Sequence, residues 1–302
     1  MNIELTHKNV KKQSIETPTK MVLRRLVKNK MAMLGLAMIV IMVIFSFIGP
    51  MFMPYGYNTQ TDYVKQPPMD GFFLGTDYLG RDMLTRLMYG GRISIIVGII
   101  SVVIEMIIGV LIGAIAGYYG GKVDTILMGI TDVVLSLPFM PIVLISASLM
   151  SVFKLQGYSR IMILMFIMGV ISWPTIARLI RGEILSLREQ EFMQATEALG
   201  LSDIRKIVNH LIPNVLPTII VNVTLGVATA IITESTLSYL GVGVTEPIPS
   251  WGNLMTVANN LPDFKRRIWL WLPPGLCILI ITMGINLLGD GLRDALDPKM
   301  KR

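Results

Sequence analysis

The chain has 302 residues, 53% hydrophobic and only 16% charged, where a soluble domain carries about a quarter charged residues. The apolar residues fall in long blocks of about 18 or more, the length of a membrane-spanning helix, without the alternation a membrane β-barrel needs. The net charge of +7 does not mark a nucleic-acid binder, because the basic residues sit in tails and loops between apolar blocks, as in a membrane protein.

Residues 1–30 form a basic tail with eight Lys or Arg. The first apolar block spans Met31–Met53. It is too long and starts too late for a secretory leader, and no small-x-small cleavage site precedes Pro54. It reads as a permanent first transmembrane helix. Residues 54–92 form an extracytoplasmic loop rich in Gly, Pro, Asp and Tyr. The second helix covers Ile93–Gly117, and a turn at Tyr118–Lys122 leads to a third at Asp124–Met150. The fourth covers Ile161–Ile180, and a polar segment at 181–215 separates it from a fifth at Leu216–Leu240. After a loop at Gly241–Lys265, the sixth covers Ile268–Leu288, and a basic tail at 293–302 follows. The expected fold is an all-α polytopic membrane protein of about six spans, the last five forming a core at 93–292.

Orientation follows from charge. With both termini inside, cytoplasmic segments hold 18 of the 27 Lys and Arg, which favours an N-in, C-in arrangement. Trp269 and Trp271 then sit at the outer interface, where indole rings are favoured. Neither a solenoid repeat nor a pair of matching halves is visible.

Chemistry of the catalytic kind finds no apparatus. The nearest approach to a phosphate-binding loop, Ala116–Val123, has Gly121-Lys122 but lacks the first glycine and the Ser or Thr after the lysine. The chain should therefore bind no ATP itself and carry no cofactor. The single cysteine, Cys277, excludes an intrachain disulfide, and with only His7 and His210 a Cys/His metal site lacks ligands.

The segment 181–217 is the most informative. Phe192, Ala195, Thr196 and Leu199 recur at spacings of three and four among Glu189, Gln190, Glu191, Gln194 and Glu197. That pattern predicts an amphipathic helix whose acidic first turn suits the helix dipole. Gly200 can stop it in the left-handed conformation, and Ser202 can cap a second short helix ending before Pro213. Such a helix either lies on the membrane or docks a protein; its acidity favours protein.

Intramembrane polar residues are equally specific. Asn222, Gly226, Thr229, Thr233 and Thr236 share one face of the fifth helix. Such a stripe either lines a path or glues helices through hydrogen bonds. Gly109, Gly113 and Gly117 form a small-residue ridge that permits close helix approach. Glu105 lies mid-helix and needs a partner, a wet cavity or a proton. It opens two readings, a proton-coupled carrier or a packing residue. Asp132 and Glu234 lie nearer helix ends and are expected to anchor interfaces. Trp173-Pro174 should kink the fourth helix, with Arg178 and Arg181 snorkelling beyond it.

The stretch Gln194–Gly200, followed nine residues later by His210-Leu211-Ile212-Pro213, resembles the EAA loop of ABC importer permeases. The spacing, Ala195, Gly200 and Pro213 match; Gln194, Thr196, His210 and Ile212 depart. Leu74–Asp82 (LGTDYLGRD), continuing to Gly91-Arg92-Ile93-Ser94, resembles the loop signature of peptide and nickel importer permeases. Gly117–Asp124, Asp132–Pro138, Trp173–Glu183, Glu234–Gly243 and Pro249–Leu254 are similar to further stretches of that family. The resemblance implies a type I importer permease, the second permease subunit of the oligopeptide or dipeptide type. Its implied partners are a second homologous permease, two cytoplasmic ATPases that use ATP and magnesium, and an extracytoplasmic substrate-binding protein. Phe192, Gln194, Ala195, Thr196, Leu199, Gly200 and Pro213 are the residues it assigns to ATPase coupling.

Overall fold

The computed structural model describes residues 18–297; residues 1–17 of the tail predicted at 1–30 and 298–302 of the tail predicted at 293–302 lie outside them. Part of the predicted basic tail is helical. Helix α1 (Pro18–Lys28) lies against the C-terminal helix, with the Arg25 guanidinium donating to the Asp297 carbonyl at 3.5 Å. Asn29 separates it from α2 (Lys30–Phe47), and its side-chain oxygen caps α2 through the Met31 and Ala32 amides. A 3-10 turn at Gly49–Phe52 follows.

Helix α3 (Met83–Tyr119) begins ten residues before the predicted Ile93. Asp82 caps it, its Oδ2 accepting from the Thr85 amide at 2.8 Å. The added turns carry Arg86 and Arg92, charges that a hydropathy reading assigns to a loop. Here they are consumed by partners in the preceding segment. The loop predicted over 54–92 thus ends at Asp82.

The predicted third helix is two. Helices α4 (Gly121–Ser136) and α5 (Phe139–Val152) meet at 76°. Leu137 precedes Pro138 and is forced into extended backbone, which ends α4. Helix α6 (Tyr158–Arg188) continues through Pro174 as one helix and runs past Ile180 into the predicted polar segment.

Helix α7 (Glu191–Ala198) and α8 (Asp203–Lys206) flank the glycine break, and Gly200 adopts φ +67° as predicted. Ser202 occupies the cap position of α8 without making a side-chain cap bond. Nor does the helical run stop before Pro213. A π-turn at Ile207–Leu211 carries it into α9 (Ile212–Tyr239), whose first turn holds the proline. Proline has no amide to lose at that position. Short helices α10 (Trp251–Leu254) and α11 (Leu261–Arg266), joined by a 3-10 turn at Met255–Asn259, lead to α12 (Ile268–Leu296). Five helices are long and apolar enough to cross a membrane, and the bent α4–α5 pair, counted as one span, makes six.

Glycine positions set the packing. Helix α3 packs most extensively against α6. A Cβ on Gly113 would lie 2.5 Å from the Ala177 carbonyl oxygen, and one on Gly109 2.8 Å from the Ile176 Cβ. Gly117 meets the Arg181 carbonyl oxygen at 2.9 Å, and from α6 a Cβ on Gly169 would meet the Ile104 Cβ at 2.6 Å. The predicted ridge is therefore the α3–α6 contact. Gly35 and Gly284 bring α2 and α12 together in the same way.

Candidate functional site

Three arrangements could do work in a membrane protein: a cavity, an exposed loop face and a knot of charged loop residues.

The cavity has a volume of about 720 Å³ and lies between α3, the α4–α5 bend, α6 and α9. Four of the five predicted stripe residues line it: Asn222, Gly226, Thr229 and Thr233. The fifth, Thr236, does not. It borders a separate hollow of about 430 Å³ with Tyr239, Phe264 and Trp271. One α9 turn is enough to move it past the end of the cavity. Among the described residues, the hydrogen bonds of Asn222, Thr229 and Thr233 do not cross to another helix. Asn222 donates to the Thr218 carbonyl at 2.8 Å, and Thr229 and Thr233 donate to Leu225 and Thr229. Every one of these bonds returns to α9 itself, so the oxygens remain able to accept from a guest or water. Glu105 joins this wall with Ser101, one turn before it, and with Ser172 and Thr175 from α6. The last three were missed, although the i, i+4 spacing of Ser101 and Glu105 places them on one face.

Asp132 and Glu234 anchor interfaces, as expected. Asp132 pairs with Arg178, and Asp124 takes Arg181 in a two-bond fork. Both arginines are thus bound to α4. Glu234 is fully buried, accepting from the Ser94 hydroxyl at 2.7 Å and the Ser238 hydroxyl at 2.6 Å. Ser94 in turn accepts from the Trp251 amide at 3.2 Å. Glu234 therefore joins α3, α9 and α10.

The face of α7 differs from its sequence pattern. Met193 and Thr196 are the buried residues, and Phe192 is half-buried against the core. Gln194, Ala195 and Leu199 are exposed, Leu199 by 78%. Beside α7, the Tyr118 hydroxyl donates to Asp203 of α8 at 2.6 Å. The Arg188 guanidinium donates to the Tyr118 carbonyl at 2.9 Å. Pro213, predicted as part of this element, lies inside α9 instead.

At the other end, LGTDYLGRD folds into a charged knot. Asp77 Oδ2 accepts from Arg81 Nε at 2.7 Å, and its Oδ1 accepts from the Leu79 and Arg81 amides. Arg81 and Arg86 each donate to one oxygen of Glu246 at 2.7 Å. Both arginines are buried. Gly80 must be glycine: its φ is +73°, and a Cβ would meet the Thr61 carbonyl oxygen at 2.0 Å. Farther along, Asp263 receives Lys65 at 2.9 Å and also pairs with Arg267. Burial alone would raise the Asp263 pKa, but the hydrogen bonds and charges of Lys65 and Arg267 outweigh it and hold it below the usual carboxylate range.

Residues 109–302 match the family described as the binding-protein-dependent transport system inner membrane component. Residues 17–68 match the N-terminal TM domain of oligopeptide transport permease C. The chain is 39% identical over 277 residues to the oligopeptide transport system permease protein OppC of Bacillus subtilis, covering 91% of this chain and 87% of that one. It is 38% identical over 302 residues to the dipeptide transport system permease protein DppC of the same organism, covering 98% and 91%. The OppC of Escherichia coli K12 is 39% identical over 280 residues, covering 91% and 89%. With five long apolar helices and a bent pair as a sixth span, a cavity of mixed polar and apolar lining between them and a glycine-broken loop helix at one end, the chain belongs to the binding-protein-dependent transport system inner membrane components, the non-catalytic permease subunits of ABC importers.

Proposed function

We propose that this permease forms, with a second homologous permease, the membrane path of an ATP-driven importer of peptides. Cargo arrives on an extracytoplasmic binding protein, and two cytoplasmic ATPases supply the work through the exposed side of α7. The observation that carries this is the 720 Å³ cavity walled by Asn222, Thr229 and Thr233, whose acceptors are free for backbone amides. A wall that mixes short hydroxyls with apolar side chains suits cargo of varied side chains, because the peptide backbone is the common feature. Relatives named for oligopeptides and for dipeptides are equally similar, so both lengths belong in the test. The docking side is Gln194, Ala195, Leu199 and Gly200; Phe192 and Thr196 hold the turn in place from within. Both chain termini face the cytoplasm in this arrangement, as the charge distribution requires.

The test is uptake by the whole complex in proteoliposomes. Labelled di- and pentapeptides should enter when ATP is supplied and stop entering when it is depleted. A protonophore should leave uptake unchanged. Uptake driven by a proton gradient without ATP would replace this proposal with a carrier that uses Glu105. Entry of a nickel chelate, with neither peptide competing, would move the cargo class.

A further inference from the structure

Glu105 is the one ionisable side chain in the described cavity wall. It is half-buried and makes no hydrogen bond or ion pair among the described residues, whereas Asp124, Asp132 and Glu234 all have partners. Its nearest companion by sequence on the same face, Ser101, has a buried hydroxyl that also lacks a partner. A lone carboxylate inside a membrane is costly unless a wet cavity or a cation meets it, and this one opens onto a cavity whose wall also holds Ser101, Ser172, Thr175, Asn222, Thr229 and Thr233 among apolar side chains. A carboxylate that ionises in a confined path attracts positive cargo and repels negative cargo.

We propose that Glu105 is a specificity-determining residue of the path, favouring peptides with a cationic side chain over those with an anionic one. This rests on the reading of the cavity as the peptide path. The effect acts on passage, separately from the choice made by the binding protein.

The experiment compares ATP-driven uptake of Ala-Lys-Ala, Ala-Ala-Ala and Ala-Glu-Ala by the complete complex, each at saturating loading of the same binding protein. Because the binding protein is constant, differences between permease variants report the path alone. The lysine-to-alanine uptake ratio should fall by about fivefold in Glu105→Gln, the effect of one unit charge at roughly 4 Å in water-like surroundings. Glu105→Asp should keep the wild-type order. A purely structural role would lower all three rates together and leave the ratios unchanged. Unchanged ratios in Glu105→Gln, or a carboxylate shown to be paired with a cation of the second permease, would overturn the proposal. No ATP-driven uptake of any of the three peptides by the wild-type complex would instead remove the peptide-path reading beneath it.

Discussion

Glu246→Ala is expected to cost about 3 kcal/mol of stability, the low end for breaking a buried ion pair from one side. The cost arises from what is left behind. Arg81 and Arg86 are both 1% exposed, and each loses its 2.7 Å bond to Glu246. Asp77 remains as the one carboxylate between them, at 2.7 Å from Arg81 and 3.4 Å from Arg86. The figure stays at the low end because Glu246 is itself 42% exposed, so water screens part of the attraction. Thermal unfolding of the detergent-solubilised chain should occur at a visibly lower temperature, with Glu246→Gln in between. An unchanged midpoint for Glu246→Ala would mean that the two arginines find other partners.

Gly113→Ala is expected to destabilise the α3–α6 contact by about 2 kcal/mol, within the range for overpacking a close contact. The new methyl would sit 2.5 Å from the Ala177 carbonyl oxygen, which is backbone and cannot rotate away. Gly129→Ala is the control. It lies in a helix with nothing within 4 Å of its Cβ, and should be neutral or slightly stabilising. Opposite signs for two chemically identical changes isolate packing from helix propensity. Equal effects in the same unfolding assay would mean that the ridge does not set this contact.

Much of this fold was legible because membrane spans announce themselves by length and apolarity. The glycine ridge and the Gly200 break were also readable, since only small residues permit the first and only a left-handed residue the second. Boundaries failed where polar residues continue a helix. The start of α3 was hidden because Arg86 and Arg92 look like loop residues until Glu246 and the Ser46 carbonyl are seen to receive them. The α4–α5 bend was hidden because Leu137-Pro138 breaks a block that stays apolar on both sides. The cavity was half legible. One helix supplies a periodic stripe, but Ser172 and Thr175 join it only through the packing of α6, which no spacing reports. On α7 the period was right, but only Phe192 and Thr196 of the set turn toward the core, while Ala195 and Leu199 are exposed. An eight-residue helix with a half-buried Phe192 can rotate to bury Met193, and long-range packing decided between them.

The charged knot shows how a motif can be structural without being chemically inert. LGTDYLGRD uses its glycines to turn the chain, Asp77 to hold Arg81, and Arg81 to bind Glu246 in the loop before α10. It sits at the start of α3, at the end opposite α7. Glu234 continues the connection inward through Ser94 and Trp251.

Docking of the ATPase on the exposed side of α7 is tested most directly by crosslinking from position 199. Leu199→Cys in a Cys277→Ala background gives a single thiol that can carry a photo-reactive group. Illumination of the assembled complex should attach the permease to an ATPase subunit, because Leu199 is 78% exposed and its side chain is left for a partner to cover. Attachment to lipid or to the second permease, with no ATPase adduct, would contradict this docking and return α7 to the membrane surface.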